Sequence, residues 1–160
     1  MRVGVIGTGQ VGLVTAVTLA DVGHDVGALD VDAETIETTF VSLALRGEPI
    51  TVHGDGSQTR SLCYVDDLVE GPWRLFVSDL TGPVNLGNPE EVTVLELAER
   101  VRVGVDAEVP IEFTERPEDD PQVRRPDISL ARLELGWEPK VTLDTGLERM
   151  VAWASEAWTT

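Results

Sequence analysis

A chain of 160 residues, 42% hydrophobic and 26% charged, is long enough for one domain with a real core and too rich in apolar residues for a disordered tail. Its 29 acidic residues against 12 basic ones give a formal charge of −17, and such a surface repels phosphate backbones and anionic lipid, so nucleic acid and membranes are not expected as partners. Only Lys140 among the basic residues is a lysine; the acid excess fits adaptation to high salt, where screening relieves self-repulsion, while a GC-rich genome would explain arginine over lysine but not the acids.

In chain order, Val3 to Ile6 is a short apolar run of the kind a buried parallel strand requires. Gly7-Thr8-Gly9-Gln10-Val11-Gly12 follows as a complete G-x-G-x-x-G, then an apolar helix from Leu13 to Ala20. His24 falls in the turn before a second strand, Val26 to Leu29, which ends in Asp30, 18 residues after Gly12. In this arrangement Gly7 permits the tight turn, Gly9 admits a pyrophosphate to the backbone, and Gly12 lets the helix pack on the strand. The helix N-terminus offers N–H groups and partial positive charge, and an acid at Asp30 suits a ribose 2′-hydroxyl, which selects NAD over NADP.

A helix is predicted from Ala33 to Arg46, stopped by Gly47 and Pro49, then a strand over Ile50 to Val52 and a turn at Gly54-Asp55-Gly56-Ser57. Leu62-Cys63-Tyr64-Val65 reads as an apolar strand that places Cys63 and Tyr64 in the core, and Asp66 and Asp67 open a helix. Val84-Asn85-Leu86 reads as a strand. Thr93 is expected to cap a helix reaching Val103, with Glu96 completing a capping box. Ile111 to Phe113 is a strand, Asp127 caps a short helix ending at Gly136, and Thr142 starts a C-terminal helix. Trp137 is expected to be a packing anchor, and Trp153 and Trp158 to dock on the fold or on a partner.

The segment MRVGVIGTGQVGLVTAVTLADVGHDVGALDVDAETIE resembles the N-terminus of the UDP-glucose/GDP-mannose dehydrogenase family, apart from Gln10, where an aromatic is usual. That resemblance implies that Gly7, Thr8, Gly9, Gln10, Val11, Gly12 and Asp30 hold NAD. From about Phe40, FVSLALRGEPITVHGDGSQTRSLCYVDDLVEG, GPVNLGNPEEVTVLELAERV and DDPQVRRPDISLARLELGWEPKVTLDTGLERM resemble the C-terminal half of an extended short-chain dehydrogenase. The resemblance is to UDP-glucuronate decarboxylases of the NAD-dependent epimerase/dehydratase family. By this second resemblance Arg60 and an arginine of the Arg124-Arg125 pair contact a UDP-sugar's diphosphate, and Val52 and Gly54 flank the uracil. Guanidinium pairs bidentately with phosphate, which gives the physical reason for arginine there. Arg60 also suits a plain surface position beside a turn, and Arg124 and Arg125 also suit pairing with Glu118, Asp119 and Asp120.

The chemistry of both parents is missing. The resembled decarboxylases use a Tyr-x-x-x-Lys pair, whereas the one tyrosine, Tyr64, is followed four positions on by Leu68, and Cys63 lacks the glycine-rich loop of the dehydrogenase nucleophile. The lone cysteine excludes an internal disulfide, His24 and His53 cannot make a metal cluster, and no apolar run has the length of a membrane span. A soluble, cytoplasmic protein without a signal peptide is expected.

The expected fold is therefore α/β: a truncated Rossmann-like, mostly parallel sheet flanked by helices, with remnants of a sugar-nucleotide-binding subdomain. It comprises a βαβ segment over 1–37 and a C-terminal segment over 38–160, folded as one unit. The favoured function is binding of NAD, a UDP-sugar or both without the parents' catalysis. Two alternatives stay open: an oxidoreductase, decarboxylase or epimerase with a rearranged or inter-subunit site using Tyr64, Cys63 or Asp66, and a non-catalytic structural relic. Without its usual neighbours the first strand exposes an edge, so either Val84-Asn85-Leu86 fills the gap or a second chain does, and a homodimer or higher oligomer is expected.

Overall fold

The computed structural model describes the backbone strands at residues 2–6 and 25–29, and residues 36–157 throughout. The expected glycine motif, the helix after it, His24, Asp30 and Trp158 lie outside the described residues.

Strand β1 (Arg2–Ile6) pairs in parallel with β2 (Asp25–Leu29), in the register Arg2 to Asp25 through Ile6 to Leu29. Parallel pairing is what the sequence leads one to expect of these two runs. Helix α1 (Ile36–Leu45) follows and buries Phe40, Val41 and Ala44. Gly47, at φ +71°, turns the chain into β3 (Ile50–His53), which pairs in parallel with β6 (Ile111–Thr114) from Ile50–Ile111 to His53–Thr114. A third sheet has the order β5-β4-β7, where β4 is Thr59–Arg60, β5 is Val92–Thr93 and β7 is Val123–Arg124. Its β4–β7 pairing is parallel and its β4–β5 pairing antiparallel. Helices α2 (Val65–Phe76), α3 (Val94–Gly104), α4 (Ser129–Leu135) and α5 (Leu143–Ala157) complete the fold.

The main core brings Phe40, Val41, Ile50, Val52, Leu97 and Val101 together with Leu147 and Ala154 of α5. Leu97 and Val101 are four residues apart, Leu147 and Ala154 seven, and Ile50 and Val52 two, the helix and strand periods that aim side chains at one face. A smaller cluster gathers Ile128, Ala131 and Trp137, with Cys63, Val84 and Leu86 against it. Trp137 is the anchor expected of it, 1% exposed, its indole N–H donating to the Asp67 carbonyl at 3.0 Å.

Several expectations are corrected. Val84-Asn85-Leu86 is not a strand and does not extend any described sheet; Leu86 packs on Gly71 of α2, and the Asn85 amide donates to the Asp127 carbonyl. This three-residue apolar alternation, flanked by Gly82-Pro83 and Gly87, pairs with no described strand, and packing decides its fate. Cys63 and Tyr64 lie in irregular chain and are half-buried rather than on a core strand. Asp66 and Asp67 lie in the first turn of α2 as expected, but Asp67 has a further role: it is 3% exposed, and one carboxylate oxygen accepts from the Lys140 and Val141 N–H groups at 3.0 and 2.9 Å. Thr93 caps α3 as expected, its hydroxyl oxygen accepting from the Glu96 N–H at 3.1 Å. The reciprocal half of the capping box is absent, because the Glu96 carboxylate turns to Arg100 at 2.5 Å instead. Asp127 receives the Ser129 N–H at 2.9 Å, one residue further out than a regular cap. Gly136, at φ +56°, closes α4 as the αL residue the sequence anticipates.

Candidate functional site

The β1–β2 register sets Ile6 beside Leu29 at the C-terminal ends of two adjacent parallel strands. In open α/β sheets ligands bind outside those ends, and the chain enters the G-x-G-x-x-G at the next residue after Ile6 and reaches Asp30 at the next residue after Leu29. The positions expected to hold NAD, from Gly7 to Gly12 and Asp30, are outside the described residues; the two strand ends that precede them are described and lie side by side.

The second half of the site starts at the turn after β3. Gly54, at φ +66°, and Gly56, at φ +75°, are both in the left-handed region that glycine adopts without strain. Gly54 extends the parallel ladder by donating its N–H to the Thr114 carbonyl at 2.8 Å. The turn is fastened to α3: the Val94 and Leu95 N–H groups, free at a helix start, donate to the Gln58 and Gly56 carbonyls at 2.9 and 3.1 Å. Val52, expected beside a uracil, is 0% exposed and belongs to the main core, so its side chain faces away from solvent. Period-two alternation leaves its neighbour His53 exposed, with Nδ1 at 2.9 Å from the Thr114 hydroxyl.

Arg60 is no free surface arginine. Its guanidinium donates to the Thr59 and Pro121 carbonyls at 2.7 and 3.0 Å and pairs with the Asp120 carboxylate, with 13% of the side chain exposed. Asp120 is shared: Arg116 reaches its other oxygen at 3.4 Å and its carbonyl at 2.8 Å. The aliphatic stem of Arg116 lies over Gly54, where a Cβ would sit 3.3 Å from Cδ. One continuous cluster, Gly54–Arg116–Asp120–Arg60, therefore joins the turn to the expected diphosphate arginine. Two guanidiniums share the Asp120 carboxylate, and the Arg116 charge also reaches the Asp55 carboxyl in the turn, so cations and anions alternate through the cluster. Arg116 is the residue sequence reasoning missed; its signal was the Arg-x-x-x-Asp spacing across an acidic loop.

Arg124 and Arg125 separate. The register opposes Arg60 to Val92 and to Arg124, and pleat alternation puts Arg60 and Arg124 on one face of the small sheet. Thr59 and Arg125 belong to the other face, where Glu91 meets both, accepting from the Thr59 hydroxyl at 2.6 Å and facing Arg125 at 3.5 Å. Neither arginine of the pair takes Asp120, which Arg60 and Arg116 share. Arg125 also borders an open cavity of about 350 Å³ with Pro89, Asp127, Ser129 and Arg132. The Asp127 carboxyl there is held below its ordinary range by the Ser129 hydroxyl and N–H, and less strongly by the Arg125 charge.

The remaining reactive groups are engaged elsewhere. Burial and the Asp67 charge push the Cys63 thiol up to about 12, which leaves almost no thiolate at neutral pH. The Tyr64 ring lies under the Arg149 guanidinium at 5.2 Å and against Gly146. Lys140 Nζ pairs with Glu70 at 2.8 Å. Among the described residues no group of His, Cys, Asp and Glu could hold a metal, and no helix is long and apolar enough to cross a membrane.

Residues 32–150 match the family model described as GDP-mannose 4,6 dehydratase, and residues 1–43 match the NAD binding domain of the UDP-glucose/GDP-mannose dehydrogenase family. UDP-glucuronic acid decarboxylase 6 of Arabidopsis thaliana is 50% identical over 122 residues, 76% of this chain and 36% of that protein. UDP-glucuronic acid decarboxylase 1 of Danio rerio is 48% identical over 120 residues, 75% of this chain and 29% of that one. The chain thus spans about a third of the length of the curated relatives it matches. Among solved structures, UDP-glucose 4-epimerase of Thermotoga maritima with UDP-glucose gives a TM-score of 0.76 at 26% identity, covering 79% of this chain and 41% of that one. An epimerase of Methanothermobacter thermautotrophicus gives 0.77 at 24% identity over 92% of this chain and 48% of its own. These likenesses assign the expected α/β, Rossmann-like fold.

Proposed function

The chain belongs to the GDP-mannose 4,6 dehydratase family, and from that premise we propose that it binds NAD and a UDP-sugar, as a relative of the NAD-dependent nucleotide-sugar epimerases and decarboxylases that lacks their hydride chemistry. The observation that carries this is the parallel β1–β2 register, which brings Ile6 and Leu29 together immediately before the glycine motif and Asp30. Gly7, Thr8, Gly9, Gln10, Val11 and Gly12 would cradle the pyrophosphate of NAD, and Asp30 a ribose hydroxyl. Bound NAD supplies a hydride acceptor; the residues of this chain bind and orient it. An arginine of the Arg124-Arg125 pair serves the diphosphate of the sugar nucleotide, Arg125 being the more exposed and bordering the open cavity, and Arg60, which shares Asp120 with Arg116, is the second candidate. Val52 contributes through its backbone only, because its side chain is in the core.

The loss of catalysis rests on commitments already made. Tyr64 has Leu68 where the pair needs lysine, Lys140 is held by Glu70, and Cys63 stays protonated. The segments 1–37 and 38–160 are read as one folding unit, and the two family matches meet over 32–43, within and just before α1. Self-association as a homodimer or higher oligomer is supported by β1 and β2 forming a two-stranded sheet to which no other described strand adds. The acid excess fits a cytoplasmic protein of a high-salt cell.

Calorimetry in molar KCl with NAD, UDP and UDP-glucuronate tests the proposal. Heat is expected for NAD and for both uridine nucleotides, with Gly9→Ala abolishing the NAD signal alone. No heat for any of the three overturns it, and sedimentation showing only monomer removes the oligomer.

A further inference from the structure

We propose that Glu91 is a specificity-determining counter-charge for Arg125, holding that guanidinium until a diphosphate displaces it. The inference rests on the sugar-nucleotide function proposed for this site. It starts from an asymmetry in how the two partners are held. Glu91 Oε1 accepts the Thr59 hydroxyl at 2.6 Å, a short bond that ties the carboxylate to β4. Glu91 Oε2 faces Arg125 Nη1 at 3.5 Å, a much longer contact. The Glu91 side chain is 28% exposed and that of Arg125 is 58% exposed. The anion is anchored and the cation is loose, so the guanidinium is the member that swings to a ligand, while the carboxylate remains in place.

That arrangement sets a threshold. A ligand recruiting Arg125 must outbid a carboxylate already present, and must then sit near it. A monoanion exchanges one unit of charge for another and gains nothing. A diphosphate brings two or more charges and bidentate geometry, so it gains where a single carboxylate or monoanion does not. Asp127, lining the same cavity as Arg125, adds a second negative group on the ligand's side. The wall between this cavity and the next one is the segment 88–91: Pro89 faces the first, while Asn88, Glu90 and Glu91 face the second. Glu91 is a positioning residue here and touches the ligand only through its effect on Arg125.

The test uses the full chain, Glu91→Gln, Arg125→Gln and the double variant, titrated with inorganic pyrophosphate, inorganic phosphate, UDP and uridine. Salt is set at the lowest concentration at which each keeps its circular dichroism spectrum, since molar salt screens the effect. Glu91→Gln is expected to tighten pyrophosphate and UDP by up to about fivefold, the range of an exposed ion pair, to leave uridine unchanged, and to narrow the preference for pyrophosphate over phosphate. In the Arg125→Gln background the same change is expected to do nothing. Glu91→Ala serves as a second variant and is expected to move in the same direction. Unchanged or weaker pyrophosphate binding in Glu91→Gln, while Arg125→Gln still weakens the chain, overturns the role of Glu91 alone. Equal tightening with and without Arg125 also overturns it, since net charge then explains the gain. If the unaltered chain binds neither UDP nor pyrophosphate, or ignores loss of Arg125, the sugar-nucleotide reading of Arg125 falls and takes the inference with it.

Discussion

Two glycines in the same backbone region offer a matched pair of perturbations. Gly47 has φ +71° and nothing within 4 Å of a built Cβ; Gly56 has φ +75° and a Cβ there would lie 2.7 Å from Leu95 Cβ, 3.0 Å from Val52 Cγ1 and 3.1 Å from the Leu95 nitrogen. Gly47→Ala therefore incurs only the left-handed backbone penalty, about 1 kcal/mol. Gly56→Ala incurs that and a clash with a fully buried valine and with the amide that fastens the turn to α3. Overpacking of this kind adds about 1–3 kcal/mol, for a total of about 2–4. In a chain of this size that is a melting temperature lower by roughly 5–15 °C, against roughly 2–4 °C for Gly47→Ala. Urea unfolding followed by tryptophan fluorescence measures both. If Gly56→Ala costs no more than Gly47→Ala, the close approach of the turn to α3 is not what holds the site's geometry.

Asp67→Ala removes the acceptor for two backbone N–H groups and is expected to cost about 3 kcal/mol, while Asp67→Asn, which keeps one carbonyl oxygen, costs less than half of that; equal costs in urea unfolding would refute the bonding assigned to it. Cys63, its thiol pushed up to about 12, is expected to react with a disulfide reagent far more slowly in the native chain than in urea, and a fast native reaction counts against its placement. The Glu70 carboxyl is held below 4.5 by hydrogen bonds from Lys140 and Arg74. Its contribution is therefore present above pH 4.5 and is lost as pH falls through the lowered value in the fold. The stability advantage over Glu70→Gln should shrink along that descent, and a pH-independent difference would contradict it. At −17 the chain should gain stability as KCl rises from about 0.1 M to molar concentration, because screening shortens the reach of repulsion; a constant urea midpoint would refute that.

Elements with their own local signals were legible in the sequence. Thr93 before an amphipathic run gave α3, Gly136 after one gave the end of α4, and Gly54 and Gly56 marked the turn between strands. The two-residue strands β4 and β7 were not, because two residues carry no period and exist only as the partner of another segment. Val84 to Leu86 failed for the converse reason, an alternation with nothing to pair. At the candidate site, residue types were legible and their facing was not. Val52 alternates into the core, the Asp67 carboxylate reaches from its helix to a distant loop, and Arg125 finds Glu91 instead of the acidic run beside it. Each outcome depends on a residue far away in sequence.

Those separations have a consequence for biosynthesis. The bonds that lock β4, the turn after β3 and α2 in place join residues 60 to 74 positions apart: Arg60 to Asp120, His53 to Thr114, Trp137 to Asp67, Val141 to Asp67. At about 5–20 residues per second, a ribosome takes roughly 3–15 s to deliver the second member of each pair. Through that interval the emerging chain carries Asp67 and the Arg60 guanidinium without the partners that hold them in the finished fold. Little of this architecture can be secured until the Trp137-to-Val141 stretch has left the exit tunnel. A strongly acidic nascent chain repels its own copies on neighbouring ribosomes, so the charge that strains the finished fold protects the unfinished one.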